Sequence, residues 1–233
     1  MAPRLPRVYV VRHGETEWSL SGQHTGTSDI PLTANGEKTV RELGKQIAGP
    51  GKLLCPQTIS HVYLSPRKRA QRTFELLFES LNEDDHKYMC RHLQTTDDVR
   101  EWDYGAYEGL TSEEIREKHD PDWDIWTKGC PDGESPDKMQ ERVDKVVHTV
   151  AKVHEEHWQK VKSGQRGDAG GEGGDVLIVT HGHFSKTFLT RWCKLPLKDG
   201  RIFVVDAGGV SVGGYQHHDL KEQSLLAMNL YAL

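Results

Sequence analysis

The stretch YVVRHGETEW, Tyr9 to Trp18, runs from a β-branched and aromatic strand core directly into Arg12 and His13. Two later segments end the same way. ISHVYL (59–64) leads into Ser65-Pro66-Arg67-Lys68-Arg69, and DVLIV (175–179) leads into Thr180-His181-Gly182-His183. With RVYVV (7–11), these are continuous apolar runs, the pattern of parallel strands covered on both faces. Helical patterns separate them. Residues 32–49 place Val40, Leu43 and Ile47 on one stripe, with Thr33 as a candidate cap and Gly49 as a stop. Residues 65–81 offer Ser65 as N-cap and Pro66 at the first helical position. Ser135 and Pro136 open the longest helix, whose stripe runs through Met139, Val143, Val146, Val150, Val153 and Val161.

Strands alternating with helices predict an α/β fold: three layers, α/β/α, with a mostly parallel sheet flanked by helices. The expected organisation is one domain over residues 1–233, interrupted by a flexible Gly-rich loop at 163–174. RIFVVDAGGVSVGGYQHH (201–218) alternates into a further strand pair with a Gly-Gly turn, read as an antiparallel edge.

In an open parallel sheet every strand-to-helix junction lies at the carboxyl edge, where ligands bind. Arg12, His13, Arg69 and His181 are therefore expected to converge, and helix N-termini add unpaired N–H groups there. The expected site takes an anion of phosphate size. Arginine grips two phosphate oxygens with a planar fork, and a neutral imidazole can accept and release a phosphoryl group. The leaving alkoxide needs a proton. VREWDYGAYEG (99–109) supplies Glu101, where aromatic groups and another anion would favour the neutral acid.

Composition narrows the alternatives. The net charge of −5 leaves no basic excess for a polyanion, so no nucleic acid partner is expected. The four cysteines are scattered without a Cys-x-x-Cys pair, which fits reduced thiols. His183, His217 and His218 complete no ligand spacing, so neither a metal nor another cofactor is expected. No apolar run approaches the roughly 18 residues of a membrane span, and no signal-length apolar region opens the chain. A cytoplasmic location without membrane contact is expected; a homo-oligomer stays open.

The Arg-His-Gly motif, TGTSDIPLT, SPRKRAQRT, REWDYGAYEG and VTHGH follow one another as in the histidine phosphatase superfamily, and residues 8–215 resemble its phosphoglycerate mutase-like branch. That resemblance implies His13 as the phosphorylated nucleophile, with Arg12, Arg69 and His181 completing the phosphate pocket. It implies Glu101 as proton donor and later base. Ser19, His24, Thr25 and Gly26 would fall on the substrate side, beside Ser65 and Gly182.

Further stretches, including WDIWTKGCPDGES and DAGGVSVGGYQHH, are similar to the fungal sedoheptulose-1,7-bisphosphatase group. Against it, KLPLKDGRIF (194–203) is short, and His24 stands where that group has an aromatic. The implied activity is hydrolysis of a small phosphorylated sugar, with Arg100, Lys186 and Arg191 as candidates for a second anion contact. The rival activities are a cofactor-dependent phosphoglycerate mutase and a broad-specificity or protein phosphatase. The mutases carry an Arg-Arg pair and a Lys after the acid; here there is no such pair, and Ser112 takes the Lys position.

Overall fold

The computed structural model describes residues 4–164 and 173–231. Most of the expected Gly-rich loop, residues 165–172, lies outside the described residues. Among the described residues six strands form one sheet: β1 (Val8–Arg12), β2 (Ile59–Leu64), β3 (Leu93–Thr95), β4 (Asp175–Thr180), β5 (Val210–Tyr215) and β6 (Gln223–Leu230), in the order β3-β2-β4-β1-β5-β6. The β3-β2-β4-β1 half is parallel, and β5 and β6 add antiparallel pairings at one edge.

The helices are α1 (Glu17–Ser21), α2 (Ala34–Ile47), α3 (Lys68–Phe78), α4 (Glu83–Arg91), α5 (Ser112–Lys118), α6 (Ile125–Lys128), α7 (Pro136–Lys162) and α8 (Gly182–Trp192). They cover both faces of the sheet, as the apolar strands demand. Side chains alternate along a strand, so Val8, Val10, Val176 and Ile178 meet α7 and α8 on one face. Tyr9, Val11, Leu177 and Val179 meet α2 and α3 on the other.

Local chemistry sets most boundaries. Thr33 caps α2 by accepting from the Gly36 N–H at 2.9 Å. Ser135 caps α7 and Pro136 occupies its first turn. Two expectations fail. α3 starts at Lys68 rather than at Pro66: the Ser65 hydroxyl makes its short bond, 2.6 Å, with His181 and accepts from the Arg67 N–H only at 3.4 Å. The segment 201–218 holds one strand, not a hairpin. Gly213 and Gly214 lie inside β5, where a Cβ on Gly213 would sit 2.7 Å from Val8, and the partner β6 comes after a turn beyond Tyr215.

α2 and α3 cross at Gly44, where a Cβ would stand 2.4 Å from the Leu77 carbonyl oxygen. Gly44→Ala is expected to force the helices apart and cost about 1–3 kcal/mol. A lower urea midpoint would show it; an unchanged midpoint would mean the crossing can relax.

Candidate active site

Pairing across β1 and β4 puts Arg12 opposite Thr180, and the His13 N–H donates to the Thr180 carbonyl at 2.8 Å. His13 and His181 therefore leave adjacent strands side by side, with ring centroids 5.2 Å apart. Arg69 comes in from α3, fully buried, and its Nε donates to His181 Nδ1 at 3.2 Å. Its other nitrogens donate to the carbonyls of Ser28 and Thr25 at 2.9 and 2.8 Å. Arg12 Nη1 donates to the Val205 carbonyl at 2.7 Å, whereas its Nε is buried and unpartnered. Among the described residues neither guanidinium pairs with a carboxylate.

Hydrogen bonds fix the tautomers. His13 Nδ1 lies 2.7 Å from the Gly14 carbonyl, so that nitrogen carries the proton and Nε2 keeps a lone pair. His181 accepts from Arg69 at Nδ1 and donates from Nε2 to the Ser65 hydroxyl. Burial holds both imidazoles well below the usual histidine range, and Arg69 adds to the effect in each case. The two rings are thus neutral in a positively charged surround.

Glu101 joins this group from the irregular segment after Val99. Its Oε1 accepts from the backbone N–H groups of Trp102 and Phe184 at 2.9 and 2.8 Å, and its Oε2 from His183 at 3.0 Å. The carboxyl group thus sits on the first turn of α8, bonded to the backbones of Trp102 and Phe184 and within electrostatic reach of Tyr104. A Cβ placed on Gly182 would lie 3.4 Å from Arg12 Nε and 3.7 Å from Glu101 Oε2, so Gly182 separates the two by little more than its own backbone.

The expected substrate-side residues divide. Ser19 lines a cleft of about 290 Å³ beside Arg12 and Gly14, shared with Glu15, Asn35, Thr39 and Asp206. Thr25 and Gly26 turn their carbonyls toward Arg69 instead. His24 is buried, stacked on Tyr104 at 4.6 Å and 3.2 Å from the Ser112 hydroxyl, so it packs where an aromatic would. Arg191 is paired with Asp144, and Arg100 with Glu134. Lys186 forms no ion pair among the described residues; burial and Arg12 hold its ammonium below the usual lysine range. His217 pairs with Glu222 at 2.5 Å.

Three supports have no strong sequence signal. Thr73 accepts from the Gly14 N–H at 3.0 Å and donates to the Arg69 carbonyl at 2.7 Å, tying α3 to the turn after His13. Its place one turn after Arg69 is the only hint. Glu108 accepts from Gly26 and Ser28 at 2.9 Å, holding the loop whose carbonyls receive Arg69. The Tyr104 hydroxyl bonds His183 Nδ1 at 2.7 Å behind the Glu101 donors.

Residues 8–227 match the Histidine phosphatase superfamily (branch 1). A curated relative, the sedoheptulose 1,7-bisphosphatase of Saccharomyces cerevisiae, is 31% identical over 94% of this chain and 91% of its own. An acid phosphatase of Mycobacterium tuberculosis is 38% identical over 93% and 90%. A solved structure of a Mycobacterium tuberculosis open reading frame superposes with a TM-score of 0.73 at 33% identity, covering 97% of both chains. The chain belongs to the histidine phosphatase superfamily, and it is a phosphoric monoester hydrolase.

Among the described residues burial lowers six histidines: His13, His181 and His183 strongly, His24 to about 4, His154 to about 3, and His61. Each folded pKa lies below the unfolded value near 6.5. Below that pH the unfolded chain binds protons that the fold refuses, so stability falls as pH drops. Exposed His217, raised by Glu222, runs the opposite way. The urea midpoint is expected to fall steadily from pH 6.5 to pH 5, above the range where carboxylates titrate. A flat or rising midpoint there would contradict the buried neutral imidazoles.

Proposed function

We propose that this member of the superfamily is one catalytic domain that hydrolyses a small sugar (bis)phosphate through a phosphohistidine on His13, with sedoheptulose 1,7-bisphosphate as the favoured substrate. The observation that carries the reading is a neutral imidazole with its Nε2 lone pair free, under the charge of two guanidiniums that make no direct ion pair with a carboxylate among the described residues. A phosphoryl group there is held by fixed positive charge, which is most of what phosphoryl transfer needs.

His13 Nε2 attacks phosphorus, and the P–O bond to the sugar breaks on the far side. Arg12 and Arg69 take the charge of the equatorial oxygens. The Ser65 hydroxyl, which accepts from His181, keeps its own proton for a phosphate oxygen. Glu101 gives a proton to the leaving alkoxide. It then takes one from a water that attacks the phosphohistidine, and inorganic phosphate leaves. Each step uses only these side chains, so chelators are expected to leave turnover unchanged.

Two features support a bisphosphate. The cleft beside Arg12 offers Glu15, Ser19, Asn35, Thr39 and Asp206, side chains suited to sugar hydroxyls. Lys186, on the turn of α8 after His183, forms no ion pair among the described residues and feels the charges of Arg12 and Asp206, which line that cleft; we assign its ammonium to a second phosphate. The yeast relative's name points to the same substrate class. The four free thiols suit the cytoplasm.

A panel of sugar mono- and bisphosphates ranked by kcat/KM tests this assignment. Seven- and six-carbon ketose bisphosphates are expected to lead. Lys186→Met should lower their kcat/KM by about 10- to 100-fold, the weight of one charged hydrogen bond, while sparing monophosphates. Monophosphates in the lead, or equal losses on both classes, would remove the bisphosphate assignment.

A further inference from the structure

The segment that carries Glu101 has almost no regular structure. A short 3₁₀ turn, Asp97–Val99, leads into residues 100–104 without a strand or helix to satisfy their carbonyls. One side chain from α7 does so instead. Arg142 Nη1 donates to the carbonyls of Asp98 and Arg100 at 3.0 and 2.9 Å, and Nη2 reaches the Glu101 carbonyl at 3.4 Å. The remaining donors of the fork go to Glu134, at 2.8 Å from Nε and 2.7 Å from Nη2.

Glu134 grips the other end of the segment. Its carbonyl accepts from the Trp102 indole at 2.8 Å, its N–H donates to the Asp103 carbonyl at 2.8 Å, and its Oε2 accepts from the Asp103 N–H at 3.4 Å. Both side chains are more than nine-tenths buried. The Arg142 guanidinium also lies 5.7 Å over the Phe184 ring, the residue whose N–H holds Glu101 Oε1. Glu101 is therefore clamped twice: at its carboxylate by the start of α8, and at its backbone by Arg142.

A buried ion pair adds little net stability over well-packed apolar residues. What this pair supplies is a set of directional donors in a rigid fork. We infer that Arg142, locked to Glu134, is a positioning residue that sets where the Glu101 carboxyl meets the leaving group. The inference rests on Glu101 being the proton donor. A displacement of about 1 Å in a group that transfers a proton can cost on the order of 100-fold, and the loss falls on esters whose leaving group needs that proton.

The test measures kcat and KM for Arg142→Lys, Glu134→Gln and Glu101→Gln on a sugar phosphate and on an activated aryl phosphate, with thermal melts to confirm folding. Arg142→Lys and Glu134→Gln are expected to lower kcat on the sugar ester by about 10- to 100-fold. They should lower it by less than about 3-fold on the aryl ester, whose leaving group needs no proton. KM should move little, and Arg142→Lys should add no loss on top of Glu101→Gln. Equal losses on both esters, additive losses in the double variant, or loss of the fold in both single variants would overturn the inference. If Glu101→Gln itself shows no preference between esters, the acid role of Glu101 fails, and the positioning role with it. If Glu101→Gln discriminates and the other two variants do not, only the positioning role fails.

Discussion

Withdrawing a guanidinium from water costs several kcal/mol unless an anion meets it. This fold withdraws two, Arg12 and Arg69, and among its described residues neither forms a direct ion pair with a carboxylate, Glu101 acting on both only through space. Their donors go to backbone carbonyls and to His181, which orient the charge without cancelling it. The same charge and burial keep His13 and His181 neutral. An arriving phosphate offsets the cost of the cations and meets a ready nucleophile in one event. The neighbouring architecture, from the Glu108 clamp on the 26–28 loop to Thr73 under Gly14, serves to keep those cations in place.

The sheet explains how such remote residues meet. Only parallel strands bring the ends of β1, β2 and β4 to one edge, and only apolar side chains on both faces make such strands stable. That much was legible in the chain, because Val8 to Val11 and Val176 to Val179 leave no polar face. The meeting of Arg12, His13, Arg69 and His181 could be expected for the same reason, since each lies at or shortly past the end of a parallel strand; Glu101 stood out by its motif and family resemblance.

Other features could not be read, and each for a physical reason. Ser65 followed by proline looks like a helix start, but a buried imidazole takes the short bond of its hydroxyl and leaves the Arg67 N–H at 3.4 Å. Residues 201–218 look like a strand pair, but only 210–215 form a strand, whose Gly213 and Gly214 let β5 pass close to Val8 and Leu226. Glu134 looks like the approach to a cap; its partners, Arg142 and the backbone of residues 98–103, become neighbours only after the tertiary fold forms. In each case local pattern was overruled by a contact distant in sequence.

The central claim is that phosphorus bonds to His13 during turnover. It is tested most directly by mixing the enzyme with a radiolabelled aryl phosphate, quenching in alkali within milliseconds and mapping the label. The account predicts an acid-labile, alkali-stable phosphate on the peptide containing His13, formed at a rate matching turnover and missing in His13→Ala. Turnover proceeding with no label on the protein, or with the label on another residue, would contradict it.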